Sequence, residues 1–132
     1  MILMKPLLTY CALPSRLHDL TDDSYQFVIS QGHAPLHPFK ALPQGKDFGD
    51  NGRFGRDFAL KFAFRMVGIC DQFYLFGMSD GTVQEAEKAL ELKLPINLHV
   101  ERFDPDWRRY YPQLRDKYPF LEGLIRNNNL TV

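Results

Sequence analysis

The sequence has little of what marks several common classes of protein. Only two of its 132 residues are cysteines, Cys11 and Cys70. Both fall in or beside expected core strands, so we expect reduced thiols and no disulfide framework. The 16 basic and 16 acidic side chains cancel, which removes the electrostatic case for binding nucleic acid or a membrane surface.

Targeting segments and cofactor signatures are also missing. No apolar run approaches membrane-spanning length, and the apolar start at 1–5 is too short for a signal peptide. We therefore expect a cytoplasmic protein without a membrane partner. There is no glycine-rich dinucleotide fingerprint and no P-loop. His33 and His37 are four residues apart, but a metal site needs three or four ligands, so we expect neither a metal nor a cofactor.

Strand and helix patterns alternate along the first hundred residues of what we interpret as one domain, 1–132. This alternation is typical of a three-layer α/β fold with a parallel sheet. The strands are expected at 6–12, 33–37, 70–76 and 96–100, with helices at 19–31, before the third strand and around Glu85. The buried stripe of the second helix is expected to consist of Phe58, Phe62, Met66 and Ile69.

Two stretches lie outside this alternation. Residues 39–55 contain several glycines and predict a long loop, which in a compact domain is usually a functional lid or disordered. Residues 104–127 predict a helical C-terminal extension that starts at Pro105 and is interrupted before Pro119. Its helical aromatic stripe favours packing on the sheet edge over an oligomer interface. The members of that stripe are Trp107, Tyr110, Tyr111 and Leu114.

The most informative stretch is the apolar third strand and the residues that follow it, up to Glu85. Gly81 gives the chain freedom to turn sharply and lets a ligand approach. Open parallel sheets bind ligands in the crevice at the carboxyl ends of their strands. Glu85 is expected there in the first turn of a helix, whose dipole favours the ionised carboxylate. Two interpretations remain open: Thr82 and Glu85 form a capping box, or Glu85 is a catalytic nucleophile.

The pattern Ser79-x-Gly81-x-x-x-Glu85 after an apolar strand resembles the signature of the nucleoside 2-deoxyribosyltransferase superfamily, which includes the deoxyribonucleoside monophosphate N-glycosidases. Two further segments agree with it and occur in the same order. Residues 7–16 are similar to the first strand of the N-glycosidases and the Ser and Arg loop after it. Residues 32–38 are similar to the family's second strand, which ends in Pro and His.

The resemblance implies a flavodoxin-like three-layer domain with a parallel sheet of four to five strands and a core at about 6–100. It also implies cleavage or exchange of the N-glycosidic bond of a nucleoside or nucleoside monophosphate. Glu85 attacks the anomeric carbon and displaces the base, as in retaining glycoside hydrolysis. Hydrolase and transferase differ only in whether water or a second base resolves the intermediate. Members of the family are generally homo-oligomers, and we expect the same here.

Roles for further residues follow from the same resemblance. Tyr10 ends the first strand and is expected either to hydrogen-bond the nucleophile or to be a core tyrosine with a satisfied hydroxyl. The second acid, which protonates the base, is either Asp57 or Asp71. Arg16 is expected to pair with a phosphate, although Ala12-Leu13-Pro14 replaces the family's glycine-rich loop. The expected substrate-binding residues are Ser15, Arg16, His37, Ser79 and Gly81, and Arg53 and Arg56 are further candidates for a phosphate.

Two other functions remain as alternatives. A non-catalytic nucleotide-binding or sensor module would retain the crevice without turnover, and the altered first loop favours it. An NAD-consuming effector with the same Glu chemistry is a weaker alternative, because we expect no fused sensor domain. An active enzyme predicts that Glu85, Tyr10 and an Asp converge on one cavity of ligand size.

Overall fold

Parallel strands alternate with helices in the structure, a computed structural model that describes residues 5–42 and 55–132, with only the backbone of Arg56. The expected α/β class is therefore confirmed. The elements in chain order are β1 Leu8–Ala12, a 3-10 helix Ser15–Leu20, α1 Thr21–Ser30, β2 Ala34–Leu36, α2 Pro38–Ala41, α3 Gly55–Gly68, β3 Gln72–Leu75, α4 Asp80–Glu91, β4 Ile96–Leu98, α5 Val100–Phe103, α6 Trp107–Lys117 and α7 Leu121–Asn127.

The described sheet has four strands in the order β2-β1-β3-β4, and every pairing is parallel. This is the flavodoxin-like order, in which the chain runs outward in one direction from β1 and in the other from β3. Tyr10 pairs in register with Phe73 at the centre of the sheet. At the outer edge of β4 the amide of Leu98 donates to Asn128 Oδ1 at 3.1 Å. A side chain from the C-terminal segment therefore provides the hydrogen-bond acceptor for a backbone amide that no further strand pairs with.

Alternating side chains of the central strands bury both faces of the sheet, which gives three layers. On one face Tyr10 and Phe73 pack with α3, α4, α6 and α7. On the other face Cys11 and Tyr74 pack with α1 and α5. Cys11 and Cys70 are both buried and free, in agreement with the expected reduced thiols.

The expected buried stripe of α3 is confirmed at Met66, which is partly buried against the core, and wrong at its three other positions. Phe58, Phe62 and Ile69 are 39%, 38% and 67% exposed, whereas Ala63 and Val67 are buried in the core. Positions 63 and 67 therefore face the core in place of 58 and 62, a rotation of the helix by about one residue. Ala63 is small and Val67 is β-branched, and these two side chains let α3 pack closely on α4. Periodicity gives the spacing of the buried positions along a helix. It does not decide which face is buried when aromatic residues lie next to that face.

The C-terminal extension is helical, as expected, and part of the core. α6 begins at Trp107, two residues later than expected, and ends before Tyr118. Trp107, Tyr111 and Leu114 are buried among core residues, in agreement with packing on the sheet. Of the expected loop at 39–55, residues 43–54 lie outside the described residues, and α2 occupies its start. No helix within the described ranges has the length and hydropathy to cross a membrane.

Candidate functional site

A cavity of about 410 Å³ opens at the carboxyl edge of the sheet. It lies between the residues that follow β1 and those that follow β3, where the strand order reverses and α/β sheets bind ligands. Its volume falls in the range of small-molecule sites. The polar residues of the lining, called the polar wall below, are Ser15, Arg16, Ser79, Asp80, Gly81, Thr82 and Glu85. The apolar residues of the lining include Leu13, Pro14 and Met78, which are adjacent to them in sequence, and Pro38, Phe39, Leu42, Ala59, Leu60 and Ala63.

The turn between β3 and α4 shapes the polar wall. A Cβ on Gly77 would lie 2.7 Å from Pro14 Cδ and Cγ, so only glycine lets the two loops pack this closely. Ser79 caps α4: its Oγ accepts from the amide of Thr82 at 3.1 Å, and Thr82 Oγ1 accepts from the amide of Ser79 at 3.0 Å. Gly81 lies inside the first turn of α4. The expectation that Gly81 forms the sharp turn is therefore wrong, and the glycine that close packing requires in this segment is Gly77.

Glu85 is not a capping residue. The capping box of α4 consists of Ser79 and Thr82, which places Glu85 in the second turn. Its Oε2 accepts a hydrogen bond of 2.6 Å from the hydroxyl of Tyr10, across 75 positions of sequence. The Tyr10 ring is fully buried and stacks on Phe73 at 5.4 Å, so the core fixes the donor. The structure thus brings the expected nucleophile and its expected partner together, with Glu85 in the wall of the cavity and Tyr10 in the core.

Burial controls the protonation of Glu85. Removal from water raises the pKa of its carboxyl group to about 7, and the hydrogen bond from Tyr10 opposes this rise. The expectation that a helix start keeps Glu85 ionised is wrong, because the residue lies beyond the first turn and burial is the larger effect. Burial and the adjacent carboxylate both raise the pKa of Tyr10 well above its usual value, so Tyr10 remains a donor.

Arg16 lines the cavity but is held by a buried acid. Its Nη1 donates to Asp104 Oδ1 at 2.9 Å, and its Nη2 donates to Asp104 Oδ2 at 2.6 Å and to the carbonyl of Met78 at 2.7 Å. Asp104 is fully buried and also accepts from the amide of Met78 at 2.9 Å. The hydrogen bond to Asp104 raises the pKa of Arg16. The expected phosphate partner is thus part of a structural ion pair.

Asp80 is a cavity residue that the sequence reasoning missed. Its Oδ1 accepts from Lys117 Nζ at 2.7 Å and from the hydroxyl of Tyr118 at 2.9 Å, and its Oδ2 accepts from Gln84 Nε2 at 2.6 Å. These hydrogen bonds, that of Lys117 first, lower the pKa of Asp80. The sequence could have indicated Asp80, because it directly follows Ser79, a residue type that caps helices. Acidic residues are favourable in the first turn of a helix.

The two candidates for the second acid do not join Glu85. Asp71 precedes β3, and its Oδ2 accepts from the amide of Leu8 at 2.8 Å. It therefore lies at the amino end of the sheet, opposite the cavity, and aligns the starts of two strands. Asp57 is exposed in the first turn of α3, and the cavity wall uses Ala59, Leu60 and Ala63 of that helix instead.

His37 lies beside the cavity and does not line it. It is buried and caps α2, with Nδ1 accepting from the amide of Phe39 at 3.3 Å and Nε2 at 3.0 Å from Ser24 Oγ. Burial lowers its pKa to about 4, so the ring is neutral near pH 7. The expectation that His37 lines a base pocket is therefore wrong, and Pro38 and Phe39, which follow it, form that part of the wall.

The remaining expected residues divide into two groups. Ser15, Ser79 and Gly81 lie with Glu85 in the polar wall. Arg53 and the side chain of Arg56 lie outside the described residues. Comparison with known proteins finds no family model and no curated protein that matches the chain. We therefore infer a function from the geometry of the cavity and from the sequence resemblance.

Proposed function

We propose that this protein cleaves or exchanges the N-glycosidic bond of a nucleoside or nucleoside monophosphate, with Glu85 as the nucleophile. The supporting observation is the buried carboxyl group of Glu85, which Tyr10 holds at 2.6 Å in the wall of a ligand-sized cavity. Ser79 and Gly81, which carry the sequence resemblance together with Glu85, lie in the same wall. Ser15 from the first loop completes the group of expected residues found there.

The chemistry uses the ionised form of Glu85. A carboxylate oxygen attacks the anomeric carbon, and the new C–O bond forms as the C–N bond to the base breaks. The base leaves with the electron pair of the C–N bond and takes up a proton from water. Water or a second base then attacks the same carbon and releases Glu85. Tyr10 acts as a positioning residue, because its hydroxyl engages one carboxylate oxygen and leaves the other for attack.

The apolar and the polar residues of the lining suit the two halves of a nucleoside. Phe39, Leu42 and Leu60 offer apolar side chains against which a base can stack. Ser15 and Asp80 offer polar groups, which sugar hydroxyls would need as partners. The lowered pKa of Asp80 keeps its carboxyl group ionised, so Asp80 is not suited to protonate the leaving base.

The test is base release from a panel of substrates. Chromatography would follow release from nucleosides, deoxynucleosides, their 5′-monophosphates and NAD, with and without a second base as acceptor. We expect wild type to release base from at least one class, at a rate that rises with pH through about 7 as Glu85 ionises. Glu85→Gln should lose release, and Glu91→Gln, which removes an exposed acid from the same helix, should retain it. Absence of release from every substrate by folded wild type would refute the proposal.

A second candidate, a non-catalytic nucleotide-binding module, is favoured by one observation. Neither Asp57 nor Asp71, the expected proton donors, lines the cavity with Glu85. This candidate predicts that wild type binds nucleosides in calorimetry and releases no base. It also predicts that Glu85→Gln changes affinity only modestly. Turnover by wild type would exclude it.

A further inference from the structure

Asp104 is a fully buried acid that has no part in the sequence resemblance and lies outside the described cavity lining. It belongs to the segment between α5 and α6, which follows β4. Its contacts reach the loops after β1 and β3, through Arg16 and Met78. A buried carboxylate is favourable only when its oxygen atoms are well paired, so its partners indicate what Asp104 does.

The Asp104 carboxylate accepts four hydrogen bonds within the described part of the chain. Two come from Arg16, with Nη1 at 2.9 Å from Oδ1 and Nη2 at 2.6 Å from Oδ2. The other two come from the amides of Met78 at 2.9 Å and Asp106 at 3.2 Å. Arg16 Nη2 also donates to the carbonyl of Met78 at 2.7 Å. The ion pair therefore holds both backbone groups of Met78, directly before the residue that caps α4.

The same contacts fix the orientation of the Arg16 guanidinium. The forked pair with Asp104 sets its direction, and the ring of Tyr110, which also lines the cavity, lies 4.1 Å from its central carbon. Asp104 and Met78 use three of its five N–H groups. The other two have no acceptor among the described residues, and the side chain is 27% exposed in the polar wall. Arg16 thus offers the cavity donors that are already oriented.

We propose that Asp104 is a positioning residue for substrate binding, which holds Arg16 so that its remaining N–H groups donate to a hydroxyl oxygen of the sugar of a nucleoside. This inference rests on the proposed function for the identity of the ligand. A guanidinium that is oriented in advance loses little conformational freedom when a ligand binds. The sugar is the part it meets, because Arg16 shares the polar wall with Glu85, and attack by Glu85 requires the anomeric carbon to lie against that wall.

A double-mutant cycle in the full chain carrying Glu85→Gln, which blocks turnover, tests the proposal. Calorimetry would measure binding of the four common deoxynucleosides. We expect Asp104→Asn to weaken binding about tenfold or more, although Arg16 is still present, because its guanidinium is no longer held. Arg16→Gln should weaken binding by a similar factor, and the two changes together should weaken it no further. The control Glu91→Gln, at an exposed position of α4, should leave affinity unchanged.

Melting temperatures of the same variants separate positioning from a purely structural role. Arg16→Gln leaves Asp104 as an unpaired buried anion and should lower the melting temperature, whereas the double variant removes both charges and should recover part of that loss. Binding should not recover with it, because the donor is absent. Recovery of affinity together with stability would overturn the proposal, as would unchanged affinity in Asp104→Asn.

Arg16→Lys provides a second test if Asp104→Asn does not fold. Lysine keeps the charge beside Asp104 but has no planar fork, so binding should weaken about fivefold or more. Unchanged affinity in this variant would also overturn the proposal.

Analogues of the tightest-binding deoxynucleoside identify the hydroxyl group. The 2′,3′-dideoxy and 2′,5′-dideoxy forms each lack one hydroxyl of the sugar, and the effect of Arg16→Gln on affinity should disappear for one of them. An effect that both analogues retain would overturn the assignment to the sugar. Coupled binding without base release by wild type would support this inference and refute the proposed function. Base release with independent effects of the two substitutions would refute this inference alone.

Discussion

Glu85→Gln should change how the stability of the protein depends on pH. In the folded protein the pKa of Glu85 is about 7, against an ordinary value of 4.5. Between these values the folded state binds more protons than the unfolded state, so stability falls as the pH rises. The contribution is fully present below about pH 4.5 and is lost as the pH approaches and passes 7. A glutamine side chain does not titrate, so the variant should lack this component.

The size of the effect follows from the two pKa values. One pKa unit corresponds to about 1.4 kcal/mol, so wild type should lose about 3 kcal/mol relative to Glu85→Gln between pH 4.5 and pH 8. Glu85 is only 8% exposed, and solvent screening should therefore reduce this figure little. Other titrating groups, such as His37, are common to both proteins and cancel in the difference.

Urea unfolding at several pH values, followed by circular dichroism, measures this difference. The free energy of unfolding of the variant minus that of wild type should increase steadily from pH 4.5 to 8. Glu91→Gln is the control, because Glu91 is exposed and its curve should parallel wild type. Parallel curves for Glu85→Gln as well would show that Glu85 ionises normally, and the reasoning on burial would be refuted.

Three further predictions concern the surroundings of the site. Tyr10→Phe removes the hydrogen bond that lowers the pKa of Glu85 and should move the midpoint of the pH–rate profile upward by about 1 pH unit or more; an unchanged midpoint would contradict the contact. His37→Asn retains a cap for α2 without titration; since the folded pKa of His37 is lowered to about 4, the free energy of unfolding of wild type minus that of the variant should fall by about 3 kcal/mol in urea unfolding between pH 6.5 and pH 4, and a constant difference would contradict the burial of a neutral ring. Gly77→Ala places a methyl group 2.7 Å from Pro14 and should lower the free energy of unfolding by about 1–3 kcal/mol in the same assay; a neutral result would show that the two loops separate easily.

Much of the fold was predictable because its signals are local. Alternating apolar strands and helices indicated a parallel three-layer sheet, and the left-handed Gly32, with φ of 82°, ends the first helical region where expected. The meeting of Tyr10 and Glu85 was predicted from the resemblance and from the rule that parallel strands bring their carboxyl ends to one edge.

The errors arise where tertiary contacts choose between local options. Ser79 and Thr82 can both cap a helix, and Thr82 Oγ1 also donates to the carbonyl of Gly77 at 2.8 Å, which favours the earlier start. That choice moved Glu85 from the first turn to the second. Similarly, Arg16 and Asp104 are 88 positions apart, and no local pattern indicates that they pair. Asp71 lies at the start of the third strand, as expected, and fails as the second acid because the cavity lies at the carboxyl edge of the sheet, the other end of that strand.

The role of Glu85 as the nucleophile can be tested through the rate of base release at pH 8, where its carboxyl group is ionised. Wild type, Glu85→Gln and the control Glu91→Gln would be compared on the same deoxynucleoside, with folding of each checked by circular dichroism. We predict that Glu85→Gln is slower than wild type by about three orders of magnitude or more, with the control unaffected. Release by Glu85→Gln at the wild-type rate would contradict the assignment of Glu85 as the nucleophile.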